Sequence, residues 1–297
     1  MSIKNIAVLG TGTMGSTIAI ICLQSGFKCT VYGRKDTSIE KSKVFIENEL
    51  SDREYLLDNL KFVKSFEDLN QCDFLIEALA EDLELKKKIF KDLDSILRKE
   101  VVLASTTSGL SPTKIAEDMI NKERLVVAHF WNPAHLIPLV EVVPGEETSK
   151  ETVDITVEVM KNLHKEPVKM EKECLGFIGN RIQLAMLREA LYIVEQGYAT
   201  IENVDKAIEY SIGRRLPVTG PLKSCDLGGL DIFNNISSYL FEDLCDNKSG
   251  SETLKKLVQE GKLGSKSGEG FYKWPKDELD KVSRERNEVL EYFNKLK

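Results

Sequence analysis

The sequence predicts an α/β chain in which a doubly wound, mostly parallel sheet is followed by a smaller all-α domain. In the first half, short apolar runs alternate with amphipathic stretches, which is the pattern of repeated strand–helix units. After Gly176 the strand-like alternation largely disappears and helical spacing replaces it. The 297 residues also exceed what one small domain needs. We therefore predict domains at residues 1–174 and 175–297.

Local apolar patterns define the individual elements. Strands are predicted at residues 5–9, 28–32, 73–78, 101–104, 125–129, 139–143 and 167–170. Helices are predicted between them at residues 14–25, 38–49, 81–98 and 149–163. In the second domain, residues 177–196 are long and apolar, which predicts a central buried helix or a helix at a subunit interface.

The composition excludes several classes of protein. A net charge of -7 disfavours a nucleic acid partner. No apolar run approaches the roughly 20 residues that span a bilayer, and the first residues do not resemble a secretory signal. The six cysteines are scattered, without a CxxC pair or a Cys/His cluster. We expect a cytoplasmic protein with reduced cysteines, no membrane association and no metal site.

A glycine motif follows the first predicted strand and begins a helix. Gly10, Gly12 and Gly15 form GxGxxG, with Thr13 and Met14 in the same turn. The first glycine permits a tight turn, the second lets backbone N–H groups approach a pyrophosphate, and the third allows close helix packing. In this context the motif predicts a Rossmann-type domain that binds a dinucleotide.

The end of the second predicted strand bears on the choice between NAD and NADP. An NAD site usually has Asp or Glu there, whereas this chain has Gly33, Arg34 and Lys35. Glycine leaves room for a 2′-phosphate and the cations attract it, so we predict a preference for NADP over NAD. In the alternative, Arg34 and Lys35 form a solvated turn and Asp36 binds the ribose.

One histidine stands out as a candidate catalytic base. Oxidation of an alcohol by hydride transfer also releases a proton, and imidazole accepts protons near neutral pH. His129 ends a predicted strand at the ligand-binding edge of the sheet, whereas His164 lies near a helix end and His135 in a proline-flanked loop. Glu141, in an apolar strand, needs a partner, and His129 could supply it.

Two further polar groups could bind a substrate oxygen. Ser108 closes a cluster of hydroxyl residues after the strand at 101–104, although such clusters usually form turns and helix caps. Asn180 begins the long apolar helix and could donate from its amide. With His129 and Glu141 they suggest an enzyme; a dinucleotide-binding sensor without turnover is an alternative that need not keep all four.

Several motifs together resemble the L-3-hydroxyacyl-CoA dehydrogenase family, which includes 3-hydroxybutyryl-CoA dehydrogenases. Besides the glycine turn, the matching segments are residues 77–81, 107–109, 129–133, 138–142, 176–181, 226–231 and 264–272. The resemblance implies His129 as base, Glu141 as its partner, and Ser108 and Asn180 as ligands of the substrate oxygen. It also implies a homodimer formed through the helical domain. The residues that it implies as contacts to the nicotinamide half of the cofactor are Glu81, Lys86, Asn132 and Lys266.

This resemblance predicts reversible oxidation of a short L-3-hydroxyacyl-CoA to the 3-ketoacyl-CoA. Two features of the sequence differ from the acyl-CoA enzymes, so a substrate without CoA is an alternative. Residues 34–72 are shorter than the helical hairpin with which the acyl-CoA enzymes usually meet CoA, and residues 129–135 look closer to relatives that oxidise smaller molecules. The alternative is the same chemistry on a small hydroxy acid or hydroxymethyl aromatic acid without CoA.

Overall fold

A computed structural model describes residues 3–296. Within that range, the first part of the chain contains one sheet of eight strands. The strands are β1 (Asn5–Leu9), β2 (Lys28–Tyr32), β3 (Leu60–Val63), β4 (Phe74–Glu77), β5 (Val102–Ser105), β6 (Leu125–Phe130), β7 (Leu139–Pro144) and β8 (Glu166–Lys169). Their spatial order is β3-β2-β1-β4-β5-β6-β7-β8, and only the β6–β7 pair is antiparallel. The strand order reverses at β1 and β4, where ligands bind in sheets of this kind.

Helices cover both faces of this sheet, namely α1 (Thr13–Gln24), α2 (Asp36–Glu49), α3 (Leu83–Ile96), α4 (Pro112–Ile115) and α5 (Lys150–Asn162). Because side chains alternate along a strand, β1 contributes to two cores. Ile6 and Val8 pack in one core with residues of α1 and α5. Ala7 and Leu9 pack in the other with residues of α3 and α4. The predicted doubly wound fold is confirmed.

The rest of the described chain, up to residue 296, is mostly helical. Its helices are α6 (Gly179–Glu195), α7 (Ile201–Glu209), α8 (Ile212–Arg215), α9 (Pro221–Gly228), α10 (Leu230–Leu240), α11 (Glu252–Gln259) and α12 (Lys276–Lys295). The chain divides into two compact units, of which the first ends at Gly179 and the second begins at Asn180. This division falls later than the predicted boundary at residue 174, because Phe177 packs against Val127 and Val143 in the first unit.

Two sequence-based expectations need correction. The strand β3 was not predicted, since it is four residues long at the sheet edge and buries only Val63, which is too little for a periodic signal. The apolar helix α6 is not a buried central helix: Leu191 is its buried residue, while Ile182 and Leu184 are 59% and 61% exposed. The other half of that expectation, a helix at a subunit interface, stays open.

Candidate active site

The glycine turn connects β1 to α1. Gly10 has a φ of 121°, and a Cβ there would lie 2.5 Å from the carbonyl oxygen of Ala78. A Cβ at Gly15 would overlap the Gly10 carbonyl, so glycine lets the helix approach the turn. Gly12 faces open space, and residues 13–16 place no acidic side chain at the helix N-terminus. The turn therefore fits a dinucleotide pyrophosphate.

Positive charge follows β2 at the carboxyl edge of the sheet. Arg34 and Lys35 are exposed there. Asp36 begins α2, and its Oδ1 accepts a hydrogen bond from Lys64 Nζ at 2.7 Å. The two side chains of this ion pair are 57% and 82% exposed, so Asp36 is accessible at the end of β2.

His129 and Glu141 face each other across the antiparallel pair β6 and β7. They are direct partners in the register, and His129 Nδ1 lies 2.8 Å from Glu141 Oε2. Both side chains are buried, at 6% and 1% exposure. Because an ionised carboxylate can only accept hydrogen bonds, Nδ1 carries the hydrogen and donates it to Glu141. The Nε2 atom of His129 is then the nitrogen that can take up and release a proton.

Four donors surround the Glu141 carboxylate. Besides His129, the indole Nε1 of Trp131 donates to Oε2 at 3.1 Å. The backbone N–H groups of Ile178 and Gly179 donate to Oε1 at 2.8 and 2.9 Å. Burial raises the pKa of Glu141, but hydrogen bonds from these donors outweigh burial and lower it to about 2. The residue is therefore a carboxylate at neutral pH.

A second buried carboxylate lies at the end of β4. Glu77 is fully buried and accepts two hydrogen bonds from Lys86 Nζ, at 2.6 and 2.7 Å. The Ser105 hydroxyl and the Leu79 backbone N–H also donate to it, at 2.6 and 2.7 Å. Lys86 is itself 1% exposed, and its Nζ lies 3.9 Å from a Glu81 oxygen. This network joins the ends of β4 and β5 to α3; the sequence motif contained Glu77 but gave it no role.

Glu81 lies beside the segment that follows β5. Its Oε1 accepts hydrogen bonds from the Thr107 hydroxyl at 2.5 Å and the Ser108 backbone N–H at 3.0 Å. Glu81 is half-exposed and Ser108 is exposed. The structure thus brings Glu81, Lys86 and Ser108 together at the carboxyl edge of β4 and β5, next to the strand that carries His129.

Residues 131–138 form the loop between β6 and β7, which includes Asn132, an exposed residue. Lys165 is buried and its ammonium group donates to the carbonyl oxygens of Ala134 and Ile137. Burial lowers the pKa of Lys165 to about 8. Sequence reasoning missed this lysine because a charged side chain beside His164, which is exposed, resembles surface.

Asn180 and Lys266 belong to the second compact unit. Asn180 lies in the first turn of α6. Lys266 borders a largely apolar cavity of about 500 Å³ inside that unit, with Leu191, Val204 and Trp274 among the other lining residues. The part that Asn180 and Lys266 play in the site remains a prediction.

Among residues 3–296, no group of three or more His, Cys, Asp or Glu side chains is placed to hold a metal ion. Within the same range no helix has both the length and the apolar character needed to cross a bilayer.

A doubly wound sheet with this glycine turn and a buried imidazole–carboxylate pair defines an NAD(P)-dependent oxidoreductase acting on CH–OH groups. The sequence profile of the 3-hydroxyacyl-CoA dehydrogenase NAD binding domain matches residues 5–174, and that of the C-terminal domain matches residues 176–274. The chain belongs to the 3-hydroxyacyl-CoA dehydrogenase family. The predictions of family, enzyme class and a nicotinamide dinucleotide are confirmed.

Individual relatives cover nearly the whole chain. A 3-hydroxybutyryl-CoA dehydrogenase of Clostridioides difficile is 34% identical over 91% of this chain and 99% of its own length. The crystal structure of a 5-formyl-3-hydroxy-2-methylpyridine 4-carboxylic acid 5-dehydrogenase, described as an NAD+ dependent dismutase, has a TM-score of 0.89 at 30% identity, covering 97% of this chain and 96% of that one. An (S)-3-hydroxybutyryl-CoA dehydrogenase from Ralstonia eutropha has a TM-score of 0.78 at 31% identity, covering 93% and 100%.

Proposed function

We propose that the protein interconverts a short L-3-hydroxyacyl-CoA and the corresponding 3-ketoacyl-CoA. The observation that carries this proposal is the buried His129–Glu141 pair, with Nδ1 committed to the carboxylate at 2.8 Å. In the oxidising direction Nε2 takes the proton of the substrate hydroxyl, and Glu141 stabilises the resulting imidazolium. In the reducing direction the imidazolium returns the proton to the carbonyl oxygen. Ser108 and Asn180 hold that oxygen by hydrogen bonds.

The residues of the glycine turn supply the dinucleotide site. We assign the pyrophosphate to the turn formed by Gly10, Gly12, Thr13, Met14 and Gly15, which fits an anion as described above. When bound, the nicotinamide accepts or donates the hydride. Contacts to its nicotinamide half are proposed for Glu81, Lys86, Asn132 and Lys266.

We propose NADP(H) as the preferred coenzyme, with Arg34 as the residue that binds its 2′-phosphate. Its guanidinium is exposed beyond β2, and the nearby Asp36 is paired with Lys64. A hydrogen bond between charged groups contributes about 1.5–3 kcal/mol, so Arg34→Ala is expected to raise the KM for NADPH by roughly 10–100-fold and leave that for NADH unchanged. Steady-state kinetics with both coenzymes measures this. Lys41→Ala, which removes an exposed cation on the following helix α2, serves as the control. A wild-type preference for NADH would contradict the assignment.

A comparison of two substrates tests whether the enzyme requires a CoA thioester. We expect NADPH oxidation with acetoacetyl-CoA and, at equal concentrations, at least tenfold lower kcat/KM with free acetoacetate, because CoA supplies binding energy remote from the reacting carbon. Equal rates with both compounds would contradict the assignment of an acyl-CoA substrate. Adding CoA alone as a competitor is the control, since it inhibits only where its own site exists.

A second candidate substrate is a hydroxymethyl or formyl aromatic acid without CoA. It is favoured by the TM-score of 0.89 to the pyridine carboxylate dehydrogenase, compared with 0.78 to the (S)-3-hydroxybutyryl-CoA dehydrogenase. The same proton transfer at His129 applies to both substrates. Turnover of a formylpyridine carboxylate, with none of acetoacetyl-CoA, would decide for this candidate.

We also propose a cytoplasmic homodimer that forms through the helical unit. Large apolar side chains are exposed on two of its helices, namely Ile182 and Leu184 on α6 and Ile232 and Phe233 on α10. Burying such side chains against a second copy would remove apolar surface from water. All six cysteines are free, as in a reducing compartment. Light scattering that gives the mass of one chain would contradict the dimer.

A further inference from the structure

Each of the two oxygen atoms of the Glu141 carboxylate accepts two hydrogen bonds. Its Oε1 accepts the backbone N–H groups of Ile178 and Gly179, at 2.8 and 2.9 Å. Its Oε2 accepts His129 Nδ1 at 2.8 Å and Trp131 Nε1 at 3.1 Å. The indole of Trp131 and the imidazole of His129 therefore compete for the negative charge of the same oxygen atom.

Gly179 makes room for this indole. A Cβ at Gly179 would overlap the Trp131 ring, with Cζ2 as the nearest atom. Because that ring atom belongs to the rigid indole, relieving the overlap moves either the ring with its N–H or the Gly179 backbone with its own N–H, and both donate to Glu141. Gly179 thus contributes twice to the arrangement, through its own N–H bond to Glu141 and by leaving space for Trp131.

We propose that Trp131 is a positioning residue that sets how strongly Glu141 holds the protonated form of His129, and that Gly179 is its steric complement. The proposal rests on the proposed role of His129 as the base. No other element that contacts His129 brings a charged group to it among the described contacts: Glu141 is the ionised neighbour on β7, and the remaining contacts are the rings of Trp131 and Phe177, with centroids 5.9 and 5.6 Å away.

The physical argument concerns the charge that forms when His129 takes up a proton. The imidazolium is stabilised by the negative charge on Oε2, and each further donor to that oxygen reduces the charge available to it. Without the indole bond, Oε2 would keep more of its negative charge for the imidazolium. Neutral imidazole is the form that accepts the substrate proton in the oxidising direction.

Trp131→Phe keeps an aromatic ring and removes the N–H. We expect the midpoint of His129 protonation to rise by roughly 0.3–1 pH unit, the equivalent of one hydrogen bond. The acid limb of kcat/KM for alcohol oxidation should move to higher pH by the same amount, while the KM for the coenzyme stays unchanged. Gly179→Ala disturbs one of these two donors to Glu141 and should shift both midpoints in the same direction. In Trp131→Phe the smaller ring tolerates the methyl group, so the double variant should shift no further than Trp131→Phe alone.

Two measurements separate this inference from the proposed function. Nitrogen NMR of imidazole-labelled protein without substrate gives the titration midpoint directly; the chain has three histidines, and His129→Ala identifies the relevant signals. Trp274→Phe, the other tryptophan, is the matched control and should leave the midpoint unchanged. Unchanged NMR midpoints in both Trp131→Phe and Gly179→Ala would overturn the role of Trp131. A shifted NMR midpoint with an unshifted kinetic limb would support that role and contradict His129 as the base.

Discussion

Replacing His129 with alanine is expected to lower kcat by about 10²–10⁴-fold in both reaction directions. The variant loses the nitrogen that exchanges the substrate proton, whereas the glycine turn on β1 and α1 is unchanged. Rapid-quench or steady-state kinetics measures the loss, and coenzyme binding followed by nicotinamide fluorescence should stay at the wild-type affinity.

His164→Asn is the control for this variant. His164 is exposed and has a φ of 57°, a conformation that asparagine tolerates. We expect wild-type kcat in this control. A His129→Ala enzyme with undiminished kcat and an intact fold would remove His129 from the mechanism.

Replacing Lys86 with methionine is expected to lower the free energy of unfolding by about 3–5 kcal/mol. The ammonium group of Lys86 is the cation that compensates Glu77, and both side chains are almost completely buried, at 1% and 0% exposure. The Ser105 hydroxyl and the Leu79 N–H remain as donors in the variant, but neither carries a charge. Urea unfolding followed by circular dichroism measures the loss.

Two further variants show whether the buried charge is the cause. Lys87→Met breaks the ion pair between Lys87 on α3 and Glu117, which are 2.7 Å apart, with the glutamate side chain 63% exposed; we expect a much smaller loss than for Lys86→Met. Glu77→Gln combined with Lys86→Met removes both charges and should recover much of the lost stability. Equal destabilisation by Lys86→Met and Lys87→Met would show that Glu77 does not need its counter-charge.

The sequence predicted those parts of the site that depend on strand order and periodicity. His129 and Glu141 each stood in an apolar run, so their placement on neighbouring strands followed from the α/β pattern alone. The antiparallel register that makes them direct partners did not follow, because no residue pattern in residues 131–138 determines it. The contacts of Glu77 with Lys86 and Ser105 did not follow from sequence either, since these partners lie on α3 and β5 and only folding brings them together.

Burial was the property least accessible from sequence. Lysine is usually a surface residue, but Lys165 and Lys86 are buried. Backbone carbonyls accept hydrogen bonds from the ammonium group of Lys165, and a carboxylate accepts them from that of Lys86. The helix α6 shows the reverse, with apolar side chains that the single chain leaves exposed. Periodicity reports which face of an element is apolar, and it does not report what covers that face.

The antiparallel pairing of β6 with β7 places His129 opposite Glu141, so the loop between the two strands does not determine this alignment. Because backbone pairing aligns His129 with Glu141, insertions or deletions after Trp131 in this loop would leave the two residues opposite each other. One residue inserted within β7 itself would instead turn Glu141 to the opposite face of the sheet. A change of length in this connection would therefore preserve the imidazole–carboxylate pair, whereas a change of length within the strand would separate it.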